Sequence, residues 1–246
     1  MIYLEDKKAG SIYLGDKKLS KIYLGDKLVW EGYKNKKGHI VGTATAAGAK
    51  MYIFQYYTAG GVKKDPSFYS DSKKRFDMDF TTDGIGEGTE LFRSNEVSTI
   101  DSAKVTISSS SIQYEIFNCS YLTQVNINGM KVQPTYGGKT FSTSTFIDAC
   151  DNLKYIKAGG MNWEQAEYVE LTFSNLPSLV ELDLSGANFD NTTIRRNSFW
   201  NFGTVGTVVK VIGCSETTQN KILNALTTNN SSQTWELKNG IITRTK

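Results

Sequence analysis

Four glycines in the second half of the chain stand at nearly equal intervals, and the residues ahead of them limit the fold more than anything else in the sequence. Gly129, Gly160, Gly186 and Gly213 are separated by 31, 26 and 27 residues. Four and two positions before each glycine lies an aliphatic pair: Val125 and Ile127, Ile156 and Ala158, Leu182 and Leu184, Val209 and Val211. At period two both members of a pair point to one side, so each pair reads as a short strand with one buried face. Leu122, Leu153 and Leu179 stand seven before the first three glycines, with Cys119, Cys150 and Leu176 ten before, and Phe117, Phe146 and Phe173 earlier still. A unit of this length with one strand cannot bury its apolar side alone. Neighbouring units must stack on a shared core, and roughly three to five of them fit here.

Two details follow from this alignment. Cys119 and Cys150 occupy the slot that Leu176 fills in the next unit, which reads as a buried core position rather than a redox or metal one. The unit ending at Gly213 has Gly203 and Gly206 where apolar residues are expected, so an irregular turn is predicted there. Val105 and Ile107, before Ser109, suggest a weaker unit ahead of the first.

The stretch Phe117-Asn118-Cys119-Ser120-Tyr121-Leu122-Thr123-Gln124-Val125-Asn126-Ile127 resembles a repeat of the BspA-like bacterial leucine-rich-repeat proteins, as does Leu176-Pro177-Ser178-Leu179-Val180-Glu181-Leu182-Asp183-Leu184. The resemblance spans residues 95–213 and implies a short leucine-rich-repeat-like solenoid. The outward residues of stacked strands form an extended surface. Here they include Gln124, Asn126, Asn128, Lys157, Glu181, Asp183 and Lys210, a candidate surface for a host glycan or protein. The row is polar and mixed in sign, so a plain solvated face is the simpler reading.

A second repeat opens the chain. Ile2-Tyr3-Leu4-Glu5-Asp6-Lys7, Ile12-Tyr13-Leu14-Gly15-Asp16-Lys17 and Ile22-Tyr23-Leu24-Gly25-Asp26-Lys27 recur every ten residues. Alternation sets Ile and Leu against Tyr, and Gly-Asp reads as a two-residue hairpin loop, which predicts a β-meander arm over residues 1–37. So small a sheet does not close a core. It packs on its own chain or docks on a neighbour, with Tyr3, Tyr13, Tyr23 and Trp30 as the interface candidates. Residues 38–94, with alternating runs such as Lys50–Tyr57 and Arg75–Phe80, predict a small antiparallel β domain. Residues 214–246 predict a cap: a helix from Ser215 to about Leu226, then a hairpin turning at Asn239-Gly240. The expected class is mainly β.

The chemistry-bearing residues are sparse. His39 is the sole histidine, which leaves little for a Ser-His-Asp or Cys-His arrangement. Asp77, Asp79, Asp83 and Glu87 form the densest acidic cluster, but Asp alternating with Met and Phe describes a strand with one wet face, and Thr81 and Thr82 stand where a calcium loop needs a ligand and its glycine. Three widely spaced Cys suit neither a disulfide framework nor a zinc knuckle. No enzyme, cofactor or metal is expected. The net charge of +3 is dispersed, which argues against nucleic acid, and no apolar run suggests membrane insertion or a signal peptide.

The segment Lys21-Ile22-Tyr23-Leu24-Gly25-Asp26-Lys27-Leu28-Val29-Trp30 resembles the N-terminal segments of gut bacteriophage virion proteins, in particular tail or head-fibre proteins. That resemblance implies a virion structural protein assembled in the host cytoplasm. It would be anchored to other virion proteins by its arm and oligomeric, trimers being usual for fibres. The alternative is a bacterial cell-surface adhesin of the BspA type.

Overall fold

In the computed structural model, residues 97–103, 116–130, 147–162, 173–194, 198–228 and 232–246 are described in full, together with the backbone of further strands. The described part is mainly β, with one helix, Glu216–Asn229. The chain divides into two compact units, residues 1–36 and 37–246.

In the first unit Ile12–Leu14 pairs with Lys17–Leu19 across Gly15-Asp16, and Lys21–Leu24 pairs with Lys27–Glu31 across Gly25-Asp26. The described strands of this unit pair as two hairpins. The two hairpins are separate two-stranded sheets.

The second unit is built on two large sheets, and from Glu90 onward the chain visits them in turn. Val97–Asp101, Gln124–Asn126, Tyr155–Lys157, Glu181–Asp183 and Val208–Lys210 lie parallel and adjacent in a nine-stranded sheet. Glu90–Arg93, Ile112–Phe117, Ser142–Asp148, Tyr168–Ser174 and Thr193–Ile194 do the same in a seven-stranded sheet. Each circuit of the chain thus adds one strand to both sheets. In-register stacking turns the sequence pattern into rows: Ile100, Val125, Ile156, Leu182 and Val209 form one, and all are buried. Val97, Leu122, Leu153 and Leu179 are buried as well, and so are Ile127, Ala158, Leu184 and Val211.

Two left-handed corners close each circuit. One is the aligned glycine, with φ of 65° to 74° at Gly129, Gly160, Gly186 and Gly213. The other is Asn118, Ala149, Asn175 or Asn201, with φ of 50° to 53°. Asn tolerates that region because its short amide bonds locally. Asn175 Nδ2 donates to Asp148 Oδ1 at 2.8 Å, and Asn201 Nδ2 donates to Asn175 Oδ1 at 3.2 Å, so the corners are tied from circuit to circuit.

Several expectations change here. The buried row at the seven-stranded sheet is Ile116, Ile147 and Phe173, in register, whereas Phe117 pairs with Asp148 one step out of phase and is only half-buried. The first rung is Val97–Asp101, with Ile100 opposite Val125; Ile107 instead pairs with Val132 in a separate two-stranded ladder. At the last circuit Phe202 bridges Leu176 and is fully buried, filling the slot beside Gly203. Among the described strands of residues 38–94, Tyr56–Tyr57 and Lys63–Lys64 pair in a two-stranded sheet of their own, while others join the two large sheets. His39–Ala44 and Arg75–Asp79 extend the nine-stranded sheet antiparallel, while Lys50–Ile53 and Ser67–Ser70 extend the seven-stranded one.

At the far end Ile241–Arg244 pairs antiparallel with Val208–Lys210 and with Trp235–Lys238. Asn239 and Gly240 turn that hairpin with φ of 52° and 73°. Ser215 Oγ accepts from Thr218 N at 3.0 Å, the expected helix cap, and Ile222, Ala225 and Leu226 are buried. Phe173 stacks on Phe199, Phe199 meets Phe202 edge-on, and Phe202 abuts Trp235, with centroids 6.0, 5.3 and 6.0 Å apart. This aromatic series joins the last circuits to the cap.

Candidate functional site

The outward face of the nine-stranded sheet is the candidate site, because its parallel strands bring residues about 26 apart in sequence into adjacent positions. Each short strand buries its central residue and turns the two flanking ones outward. The first outward row runs Thr99, Gln124, Tyr155, Glu181, Val208, and the second runs Asp101, Asn126, Lys157, Asp183, Lys210. Of the residues expected on this surface, Gln124, Asn126, Lys157, Glu181, Asp183 and Lys210 are therefore brought together. Asn128 lies beyond the strand, in the corner.

Several of these side chains serve the fold. Asn126 Oδ1 accepts from Asn128 N at 3.1 Å, and Asp183 Oδ1 accepts from Ser185 N at 2.9 Å. Both are local turns that satisfy corner amides. Asp101 Oδ1 does the same for Ala103 N at 3.1 Å and also accepts from Asn126 Nδ2 at 3.1 Å. Asn128 Oδ1 accepts from Gly159 N at 2.7 Å on the next circuit. The expected binding residues Asn126 and Asn128 thus hold successive circuits in register, while Asp183 satisfies its own corner.

The charges compensate one another. Lys210 Nζ lies 2.7 Å from Glu181 Oε2, and this bond, with the nearby Asp183 charge, holds the ammonium above the usual lysine range. Both side chains are about one-third exposed, so the pair adds little to stability. Asp101, Lys157, Asp183 and Lys210 alternate in sign along their row, and the face presents no field of one sign.

Sequence reasoning missed Tyr155. It lies between Gln124 and Glu181 in register and is 44% exposed, the one aromatic side chain in these two rows. Its signal was its phase, since it stands two residues before the outward Lys157. The face therefore offers an aromatic ring, an amide and paired charges, a set suited to noncovalent recognition. Among the described residues no group of three or more His, Cys, Asp or Glu side chains is placed to hold a metal ion.

The remaining predicted positions lie elsewhere. Tyr3 is outside the described residues. Tyr13, Tyr23 and Trp30 fall within the strands of the two hairpins, but their side chains are outside the described set, as are those of His39, Asp77 and Asp79. Among the described residues no helix is long and apolar enough to cross a membrane. No protein-family model, curated protein or solved structure matches the chain.

Proposed function

We propose that this chain is a bacteriophage virion structural protein, a fibre or decoration component. Its N-terminal repeats dock on other virion proteins or on further copies of the chain, and its stacked repeats form a leucine-rich-repeat-like solenoid that faces the host surface. The observation that carries this reading is that the ten-residue repeats separate as a compact unit of their own, residues 1–36, built of two-stranded hairpins. A lone two-stranded hairpin is marginal in water, so such a unit gains its stability from a surface that covers it. The likeness of its motif to virion arms supplies the kind of surface. The polar outward face with Tyr155 suits the display role.

The test is size-exclusion chromatography with light scattering on the full chain and on a chain beginning at Gly38. The full chain is expected to be an oligomer, a trimer if it is a fibre, and the shortened chain a monomer. Two monomers of equal stability, with no virion protein retained by the full chain, overturn the arm's role. Mass spectrometry of purified particles separates this reading from its rival, a cell-surface adhesin of the BspA type, which the likeness of the repeats favours. A virion protein is found in the particle, whereas an adhesin is found on cells that carry none.

A further inference from the structure

Cys119 and Cys150 occupy one core row on adjacent circuits, 31 residues apart in sequence, and both are fully buried. The strands leading into them are in register, with Ile116 opposite Ile147 and Phe117 opposite Asp148, and Asn118 N donates to Asp148 O at 3.1 Å beside them. Cys119 Sγ lies 3.5 Å from Phe117 O. Cys150 Sγ lies 3.4 Å from Asp148 O in its own circuit and 4.0 Å from Ile116 O in the preceding one. Cys119 is near enough to Cys150 for its side chain to push the Cys150 thiol upward. Neighbouring strands stand about 4.8 Å apart, within the roughly 4.4–6.8 Å separation of Cα atoms that a disulfide spans.

We propose that Cys119 and Cys150 form a disulfide between adjacent circuits when the chain folds in an oxidising medium, and that the finished core then seals the bond. The oxidant is a small-molecule disulfide such as oxidised glutathione. One cysteine thiolate attacks it, forming a mixed disulfide and releasing one glutathione thiolate. The second cysteine thiolate attacks the cysteine sulfur of that mixed disulfide and releases the second glutathione thiolate. Two protein thiols are oxidised, one glutathione disulfide is reduced to two thiols, and the two protons pass to them.

Folding decides the timing. In the finished core neither sulfur meets solvent, and the Cys119 side chain, with burial, pushes the Cys150 thiol far above the usual range, so little thiolate is present. In the open chain both thiols are exposed and ordinary. Closure therefore belongs to folding, and the same burial later protects the bond from reductants. Cys214 is an internal control. It is half-buried, its Sγ lies 3.2 Å from Leu184 O, and it stands outside the Cys119 row.

The test is to unfold the reduced full chain, refold it in oxidised and reduced glutathione, then alkylate under denaturing conditions and weigh it. The expected product is about 2 Da lighter before alkylation, takes one alkyl group, and yields a cross-linked peptide joining Cys119 to Cys150. Its thermal midpoint lies roughly 5–10 °C above that of the reduced protein. Chain that is already folded, placed in the same buffer, keeps Cys119 and Cys150 as thiols over the same period. Cys214→Ala retains the cross-link and Cys150→Ala abolishes it. Three alkylated thiols, stable glutathione adducts on Cys119 or Cys150, or a bond to Cys214 in the refolded wild-type chain overturn the proposal. If the denatured chain does not refold, cell-free synthesis in the same glutathione mixture supplies the material for the same mass measurement.

Discussion

Gly160 and Gly203 share a left-handed backbone, with φ of 65° and 64°, but their surroundings differ. A Cβ on Gly160 meets nothing within 4 Å, whereas one on Gly203 falls 2.4 Å from Thr207 Oγ1. Thr207 has no room to move, since its hydroxyl donates to Leu179 O at 2.7 Å and accepts from Thr204 N at 2.8 Å. Gly160→Ala should therefore cost only the left-handed backbone term, about 1–2 kcal/mol, while Gly203→Ala adds overpacking and should cost roughly 2–5 kcal/mol. Urea denaturation of the two variants checks the difference, and equal losses would refute the steric account. The position of Gly203 was legible as a gap in the apolar pattern. What filled the gap was not, because Phe202 takes the Leu176 slot only once the corner at Asn201 has turned the chain by one residue.

The helix Glu216–Asn229 is tied to the last circuit by a polar cluster around Asp190. Thr218 Oγ1 donates to Asp190 Oδ1 at 2.7 Å, Ser215 Oγ donates to the same oxygen, and Thr218 Oγ1 accepts from Phe189 N at 3.0 Å. Lys221 Nζ donates to the carbonyls of Phe189, Asp190 and Thr192 at 3.1, 2.6 and 2.9 Å. The hydroxyls of Ser215 and Thr218, with the Lys221 charge, hold the Asp190 carboxyl below the usual carboxylate range. A depressed carboxyl stabilises the fold above its unfolded pKa of about 3.9, and the contribution is lost as pH falls through the folded value. The denaturation midpoint should therefore drop on acidification below that region, and Asp190→Asn should remove this part of the drop; an unchanged acid profile would count against it. Ser215→Ala should cost about 1 kcal/mol through its lost cap, measured by urea denaturation at neutral pH. Ser215 was readable as a cap from its place before the helix. Asp190, 25 residues earlier, carried no local mark of its role.

At the scale of the molecule, stacked circuits leave an exposed strand at each end, and an open edge invites pairing with another chain. The C-terminal hairpin covers Val208–Lys210, and its outer strand carries Glu236 and Lys238, charges that discourage further addition. A chain ending at Cys214 should therefore form larger assemblies than the full chain at the same concentration, because it loses both that cover and the Trp235 ring against Phe202. Static light scattering of the two chains decides this. In the middle of the stack, Leu182→Ala should cost roughly 2–5 kcal/mol, since its row is closed on both sides by Ile156 and Val209. By itself the sequence determined the β class, the inward phase of the short strands, the glycine corners, the Asn-Gly turn and the helix cap, because each depends on residues a few positions apart. Only the tertiary structure decided that Ile116 and Ile147 line the core, that strands within residues 38–94 extend the two sheets, and that Asn126 and Asn128 bind successive circuits together. Those outcomes depend on which circuit lies against which, and at separations of about 26–31 residues that is set by in-register pairing and shared burial rather than by local preference.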